Sequence, residues 1–143
     1  MPVWTIVVAA GSGSRFGRAK QYERLGDRRV LDWALDAARS VSEGVVLVVP
    51  PDSAGRREPG VDAVVPGGST RSESVRAGLA AVPGDADVVL VHDAARPLAP
   101  ISLFEAVVAA VRAGAECAIP GVPMANTVKR VVGERVVETI DRS

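Results

Sequence analysis

The chain's 143 residues suffice for one domain with a single core, and its 48% hydrophobic content is that of an ordinary globular protein. Its 17 basic and 17 acidic residues cancel, which excludes a global field drawing it to nucleic acid or an anionic membrane, so any anion must be held locally. A single cysteine, Cys117, excludes an internal disulfide framework and a thiolate zinc cluster; within Glu116-Cys117-Ala118-Ile119 it reads as a small core residue.

Met1-Pro2-Val3-Trp4 leads into an apolar run without a basic leader and too short to span a bilayer, so a cytoplasmic protein is expected. Trp4 to Ala10 reads as the first buried strand. A glycine-rich loop follows, and then the only lysine before residue 129, Lys20, with a Gly26-Asp27 turn behind it. Leu31, Ala34, Leu35 and Ala38 fall at i, i+3, i+4 and i+7, the buried stripe of a helix. Gly44 to Val49 reads as the second strand, Pro50 to Gly60 as a surface loop and Asp62 to Val65 as a short third strand. Thr70 and Glu73 have capping-box spacing, so a helix starts there, with Val75, Leu79 and Val82 expected on its buried face. Val88 to Val91 reads as the fourth strand. Phe104, Val107, Val108 and Val111 form another helical stripe, and Ala115 to Ile119 reads as a fifth strand. Thr127 to Val132 and Arg135 to Ile140 flank Gly133-Glu134 as a β-hairpin. The alternation of strands and helices predicts one α/β domain with a Rossmann-like, mostly parallel sheet, helices on both faces and a C-terminal β-hairpin arm over about residues 123–143.

Three loops carry chemistry. Gly11-Ser12-Gly13-Ser14-Arg15-Phe16-Gly17-Arg18-Ala19-Lys20 follows a strand, where parallel sheets bind ligands. Glycines admit phosphate oxygens to backbone N–H groups, and Arg15 and Lys20 add positive charge, although a tight glycine turn with solvated cations fits the loop equally well. Gly17-Arg18-Ala19 breaks the Walker pattern, and the next apolar helix begins too late for a dinucleotide-binding loop, which demotes a dehydrogenase. Gly67-Gly68-Ser69-Thr70-Arg71-Ser72-Glu73-Ser74 puts hydroxyls and an arginine at a helix start, suited to an anion or a base edge; alone it is better read as a plain cap. Val91-His92-Asp93-Ala94-Ala95-Arg96-Pro97 follows the fourth strand and sets a carboxylate where Mg²⁺ or a ribose hydroxyl could meet it. His92 is read as a hydrogen-bonded core residue ahead of a proton shuttle. No Gly-x-Ser-x-Gly elbow exists for a hydrolase.

With Lys20-Gln21-Tyr22, Thr127-Val128-Lys129 and Asp141-Arg142 added, these segments resemble the 2-C-methyl-D-erythritol 4-phosphate cytidylyltransferase family in order and spacing across nearly the whole chain; His92 to Pro97 is the most specific run. The resemblance implies a nucleotidyltransferase that joins CMP from CTP to methylerythritol phosphate, a polyol phosphate, in isoprenoid biosynthesis. Ribitol-phosphate cytidylyltransferases share the loops and stay open as an alternative, as does an inactive nucleotide-binding fragment. By resemblance, Arg15 and Lys20 would be catalytic at the CTP phosphates, supported by Ala10, Gly11, Ser12 and Gly13. Gly68, Arg71 and Ser74 would face the cytosine, and Asp93 would lie near the ribose, Mg²⁺ and the acceptor. Arg96, Thr127 and Arg142 would bind the acceptor, with the arm exchanged in a homodimer so that Arg142 reaches the neighbouring site. The Arg15 to Lys20 spacing is shorter than in common members, and Asn126 stands where they often have Asp. Members also continue past residue 143 with further sheet and helix, so a truncated form is expected.

Overall fold

The structure, a computed structural model, describes residues 2–11 and 20–141. Four parallel strands form the main sheet: β1 (Val3–Val8), β4 (Gly44–Val49), β5 (Ala63–Pro66) and β6 (Val88–Asp93), in the spatial order β5-β4-β1-β6. Every residue of β4 is buried, as an apolar run covered on both faces requires. A short antiparallel pair, β2 (Arg24–Leu25) and β3 (Arg28–Arg29), surrounds the Gly26-Asp27 turn and leads into α1 (Val30–Val41).

Alternation along β1 divides the core. Val7 and Ala9 meet Leu31, Ala34, Leu35 and Ala38 of α1, while Val3 joins Val88 and Leu90 beneath α3 (Ile101–Arg112). Ile6 points to the opposite face with Val46 and Val48, under α2 (Arg71–Leu79). Helices therefore cover both faces, as expected. Thr70 caps α2: its hydroxyl accepts the Glu73 N–H, and the Glu73 carboxylate accepts the Thr70 N–H.

Four expectations need correction. Strand β6 runs on through His92 and Asp93, because these residues pair with Val7 and Val8. The buried residues of α2 are Ser74 and Gly78, not Val75 and Leu79, since the helix lies so close to the sheet that a Cβ on Gly78 would collide with Ile6 and come within 3.0 Å of Val48. The fifth strand does not form. Among the described residues β6 pairs only with β1, and Glu116 to Pro120 face β6 across a cavity of about 990 Å³ instead of bonding to it. Without a ladder to join, that segment stays irregular, and Cys117 is exposed and not a core residue.

The hairpin arm is present as β7 (Lys129–Val132) and β8 (Arg135–Thr139), antiparallel and joined through Gly133-Glu134. All of its residues are exposed, including Val131, Val132, Val136 and Val137.

Candidate active site at the reversal of strand order

β1 lies between β4, reached by the first crossover, and β6, reached after the chain has run out to β5 and back. Neighbouring strands that connect in opposite directions leave a crevice at their carboxyl ends, where open α/β sheets bind ligands. A cavity of about 780 Å³ occupies that crevice. Its wall takes Ala10 and Gly11 from the end of β1, Gly68, Arg71 and Ser74 from the start of α2, and Asp93 and Arg96 from the end of β6. Seven of the residues singled out in the sequence thus converge, although they come from three distant segments. Lys20 opens the turn just before Gln21, which does line the cavity, while Lys20 itself is outside the wall. Thr127 lies exposed at the root of the arm, also away from this wall. Ser12, Gly13, Arg15 and Arg142 lie outside the described residues.

The wall is built by close backbone approach. The Gly67 N–H donates to the Val49 carbonyl (2.8 Å), and a Cβ on Gly67 would strike that of Ala10 and sit 2.8 Å from the Ser74 hydroxyl. Only glycine lets the loop before α2 press against the end of β1. Ser74 is 3% exposed; its hydroxyl donates to the Thr70 carbonyl (3.0 Å) and accepts the Gly68 N–H (3.2 Å), so it shapes the loop that carries Gly68 and Arg71.

Charge in the cavity centres on Asp93. Its Oδ1 accepts Arg71 Nε (3.0 Å) and lies 2.9 Å from Arg71 Nη2, while Oδ2 faces Arg96 Nε at 3.8 Å. Both guanidinium groups are largely exposed, so they remain available to an incoming anion. Among the described residues no cluster of three or more His, Cys, Asp or Glu side chains could hold a metal by itself. One carboxylate beside an open cavity of this size nevertheless fits Mg²⁺, which binds through one or two carboxylates and completes its shell with water and substrate phosphates.

His92, 8% exposed, turns the other way. It meets Phe104 edge to face at 4.9 Å and lines the cavity between β6 and residues 116–120. Burial lowers its pKa below the ordinary histidine value, and its Nε2 has no hydrogen-bond partner among the described residues. Desolvated and packed against Phe104, the imidazole suits a packing role better than a proton shuttle.

Gln21 is named in the sequence only within Lys20-Gln21-Tyr22, without a role of its own. It is 6% exposed, and its Nε2 donates to the carbonyls of Ala9 (2.7 Å) and Gly11 (3.2 Å). A lone glutamine in a polar loop carries no periodic signal, and its partners are backbone atoms that no residue pattern reveals.

Residues 3–143 match the model of the 2-C-methyl-D-erythritol 4-phosphate cytidylyltransferase family. The Streptomyces coelicolor protein of that name is 47% identical over 141 residues, an alignment covering 88% of this chain and 52% of that protein. Two solved structures share the fold. The 2-C-methyl-D-erythritol 4-phosphate cytidylyltransferase of Thermus thermophilus superposes with a TM-score of 0.75 at 34% identity over 99% of this chain and 64% of its own. The 4-diphosphocytidyl-2C-methyl-D-erythritol synthase of Anaerococcus prevotii gives 0.80 at 27% identity over 98% and 64%. The chain spans about half the length of the Streptomyces relatives it matches. With family match, fold and strand-end loops in agreement, the chain belongs to the 2-C-methyl-D-erythritol 4-phosphate cytidylyltransferase family.

Proposed function

We propose that this chain carries the nucleotide site of an enzyme that transfers CMP from CTP to 2-C-methyl-D-erythritol 4-phosphate and releases pyrophosphate. The observation that carries the reading is the cavity where Ala10 and Gly11, Gly68 and Arg71, and Asp93 and Arg96 meet. A phosphate monoester is already largely ionised at neutral pH, its second pKa being about 6, so its oxygen attacks the α-phosphorus without a general base. The obstacle is repulsion between two anions, followed by charge building on the α-phosphoryl group and the leaving pyrophosphate.

In this reading the backbone at Ala10 and Gly11, together with Arg15 and Lys20, receives the triphosphate. Gly68, Arg71 and Ser74 form the wall toward the cytosine. Asp93 would hold Mg²⁺, which when bound supplies further positive charge at the phosphates. Arg96 faces the acceptor phosphate, with Thr127 and Arg142 contributed by the arm of a second copy. The arm's exposed valines support that homodimer, because a two-stranded hairpin is marginally stable alone. Among the described residues no helix is long and apolar enough to cross a membrane, and we assign the protein to the cytoplasm.

The test is pyrophosphate release across four nucleoside triphosphates and several polyol phosphates. Release with CTP and methylerythritol phosphate alone supports the proposal, whereas equal turnover with ribitol 5-phosphate moves the acceptor assignment. CTP binding without release favours a nucleotide-binding fragment, a reading motivated by the chain's covering only 52% of the Streptomyces protein. Light scattering on the chain and on one lacking residues 127–140 tests the arm-mediated dimer.

A further inference from the structure

We infer that Gln21 is a positioning residue that turns the end of β1 into an anion-facing surface; the inference rests on the triphosphate reading above. The last residues of β1 could present either N–H groups or carbonyl oxygens to a ligand, and only the former suit a phosphate. Carbonyl oxygens carry partial negative charge and would repel it. Gln21 removes two of them, with one amide nitrogen donating to Ala9 O at 2.7 Å and to Gly11 O at 3.2 Å. The described peptides are all trans, so the Ala10 N–H points opposite to the Ala9 carbonyl and away from Gln21. Ala10, Gly11 and Gln21 all line the cavity.

The same two bonds fix where the chain re-enters the fold. Gln21 is buried and directly follows Lys20, so anchoring its side chain to both Ala9 and Gly11 sets the distance between the end of β1 and the Lys20 backbone. Burial without such partners would leave both the carboxamide and the carbonyls unsatisfied. The spacing Lys20-Gln21 therefore couples a cation to the residue that orients the strand end.

The experiment is calorimetric titration of the chain with CTP, CDP, CMP and cytidine in Mg²⁺ buffer, for the wild type, Gln21→Met and Gln21→Glu. The methionine variant keeps approximate size and loses the donors. The glutamate variant keeps the shape and reverses the polarity, and it carries the same comparison should the methionine variant not fold. Thr5→Val, which removes a buried hydroxyl paired with Ser42 at a distance from the cavity, controls for a general loss of stability. The expected result is CTP affinity weakened about tenfold or more in the Gln21 variants, with the loss shrinking for CDP and CMP and nearly absent for cytidine. Thr5→Val should bind all four ligands as the wild type does. Equal losses for CTP and cytidine, or none, would assign Gln21 to packing alone and overturn the inference. Failure of the wild type to bind CTP would overturn the site reading itself, a result separable from any variant effect.

Discussion

Replacing Asp93 by Asn changes one atom type in the cavity, and the structure assigns that change opposite effects on two kinds of ligand. The carboxylate accepts Arg71 on Oδ1 at 2.9–3.0 Å and faces Arg96 from Oδ2 at 3.8 Å, so two guanidinium groups share one negative partner. All three side chains are at least a third exposed, and pairs of that kind contribute about 0.2–1 kcal/mol each after solvent screening. Asp93→Asn should therefore lower stability by only about 1 kcal/mol, a shift in Tm of a few degrees. Without metal, the freed guanidinium groups should bind pyrophosphate about fivefold more tightly, the equivalent of about 1 kcal/mol. With Mg²⁺ and CTP the same variant should lose about 100-fold or more in turnover, because the carboxylate proposed to hold the cation is gone. Calorimetry with pyrophosphate in EDTA, then in Mg²⁺, separates the two effects, and raising the salt should shrink the metal-free difference. Metal-free pyrophosphate binding that is unchanged or weaker in a folded Asp93→Asn protein would show that this carboxylate does not restrain the arginines, and the electrostatic account of the cavity would fall.

Lys20→Ala should lower pyrophosphate release by orders of magnitude while the circular dichroism spectrum stays unchanged, since the residue is exposed on a polar turn; unaltered kinetics would end its assignment to the reaction. Gly78→Ala trades a helix-propensity benefit of about 1 kcal/mol against overpacking of about 1–3 kcal/mol, so a lower Tm is expected, and a higher one would mean that α2 can lift from Ile6 and Val48. Asp32 is held below the ordinary carboxylate pKa, first by its side-chain hydrogen bond from Arg29. A carboxylate whose pKa is depressed on folding stabilises the protein above its unfolded pKa, and that contribution fades as the pH falls through the folded value. Urea unfolding from pH 6 to pH 3 should thus show an acid limb in the wild type that is shallower in Asp32→Asn.

Local rules made much of this fold legible. Valine-rich runs, the α1 stripe and the Thr70 to Glu73 box each depend on residues close in sequence, and each element is where its pattern puts it. The misses share a cause in partners distant along the chain. Ala115 to Ile119 has strand composition, but a strand exists only when another offers a ladder, and composition does not say whether β6 is within bonding reach. Val75 and Leu79 looked like a buried face by period, but the approach of α2 to Ile6 and Val48 favours the smallest side chains, so Ser74 and Gly78 turn inward. Gln21 was legible only as part of Lys20-Gln21-Tyr22, because its side chain bonds main-chain carbonyls that no residue pattern reveals. The strand-end loops, by contrast, could be read because in a parallel sheet their convergence follows from topology alone.

The cavity also restricts the chemistry by what its side chains are already doing. Among the described residues three hydroxyl groups line it, and each is committed to the start of α2. Ser69 donates to the Glu73 carboxylate at 2.6 Å, Thr70 accepts the Glu73 N–H at 3.1 Å, and Ser74 donates to the Thr70 carbonyl at 3.0 Å. Glu73, the carboxylate bonded to Ser69 and Thr70, is held below the ordinary carboxylate range, first by its hydrogen bond from Ser69, which makes it a weak base, and the chain's only histidine lines the other cavity. Among the described residues, covalent catalysis through an activated hydroxyl therefore has no candidate. What the wall offers is two exposed guanidinium groups, one carboxylate, and a strand end whose Ala9 and Gly11 carbonyls are held by Gln21. Such a set suits the proposed reaction, whose main barrier is the repulsion between two phosphates that must approach each other, better than it suits nucleophilic attack by the protein.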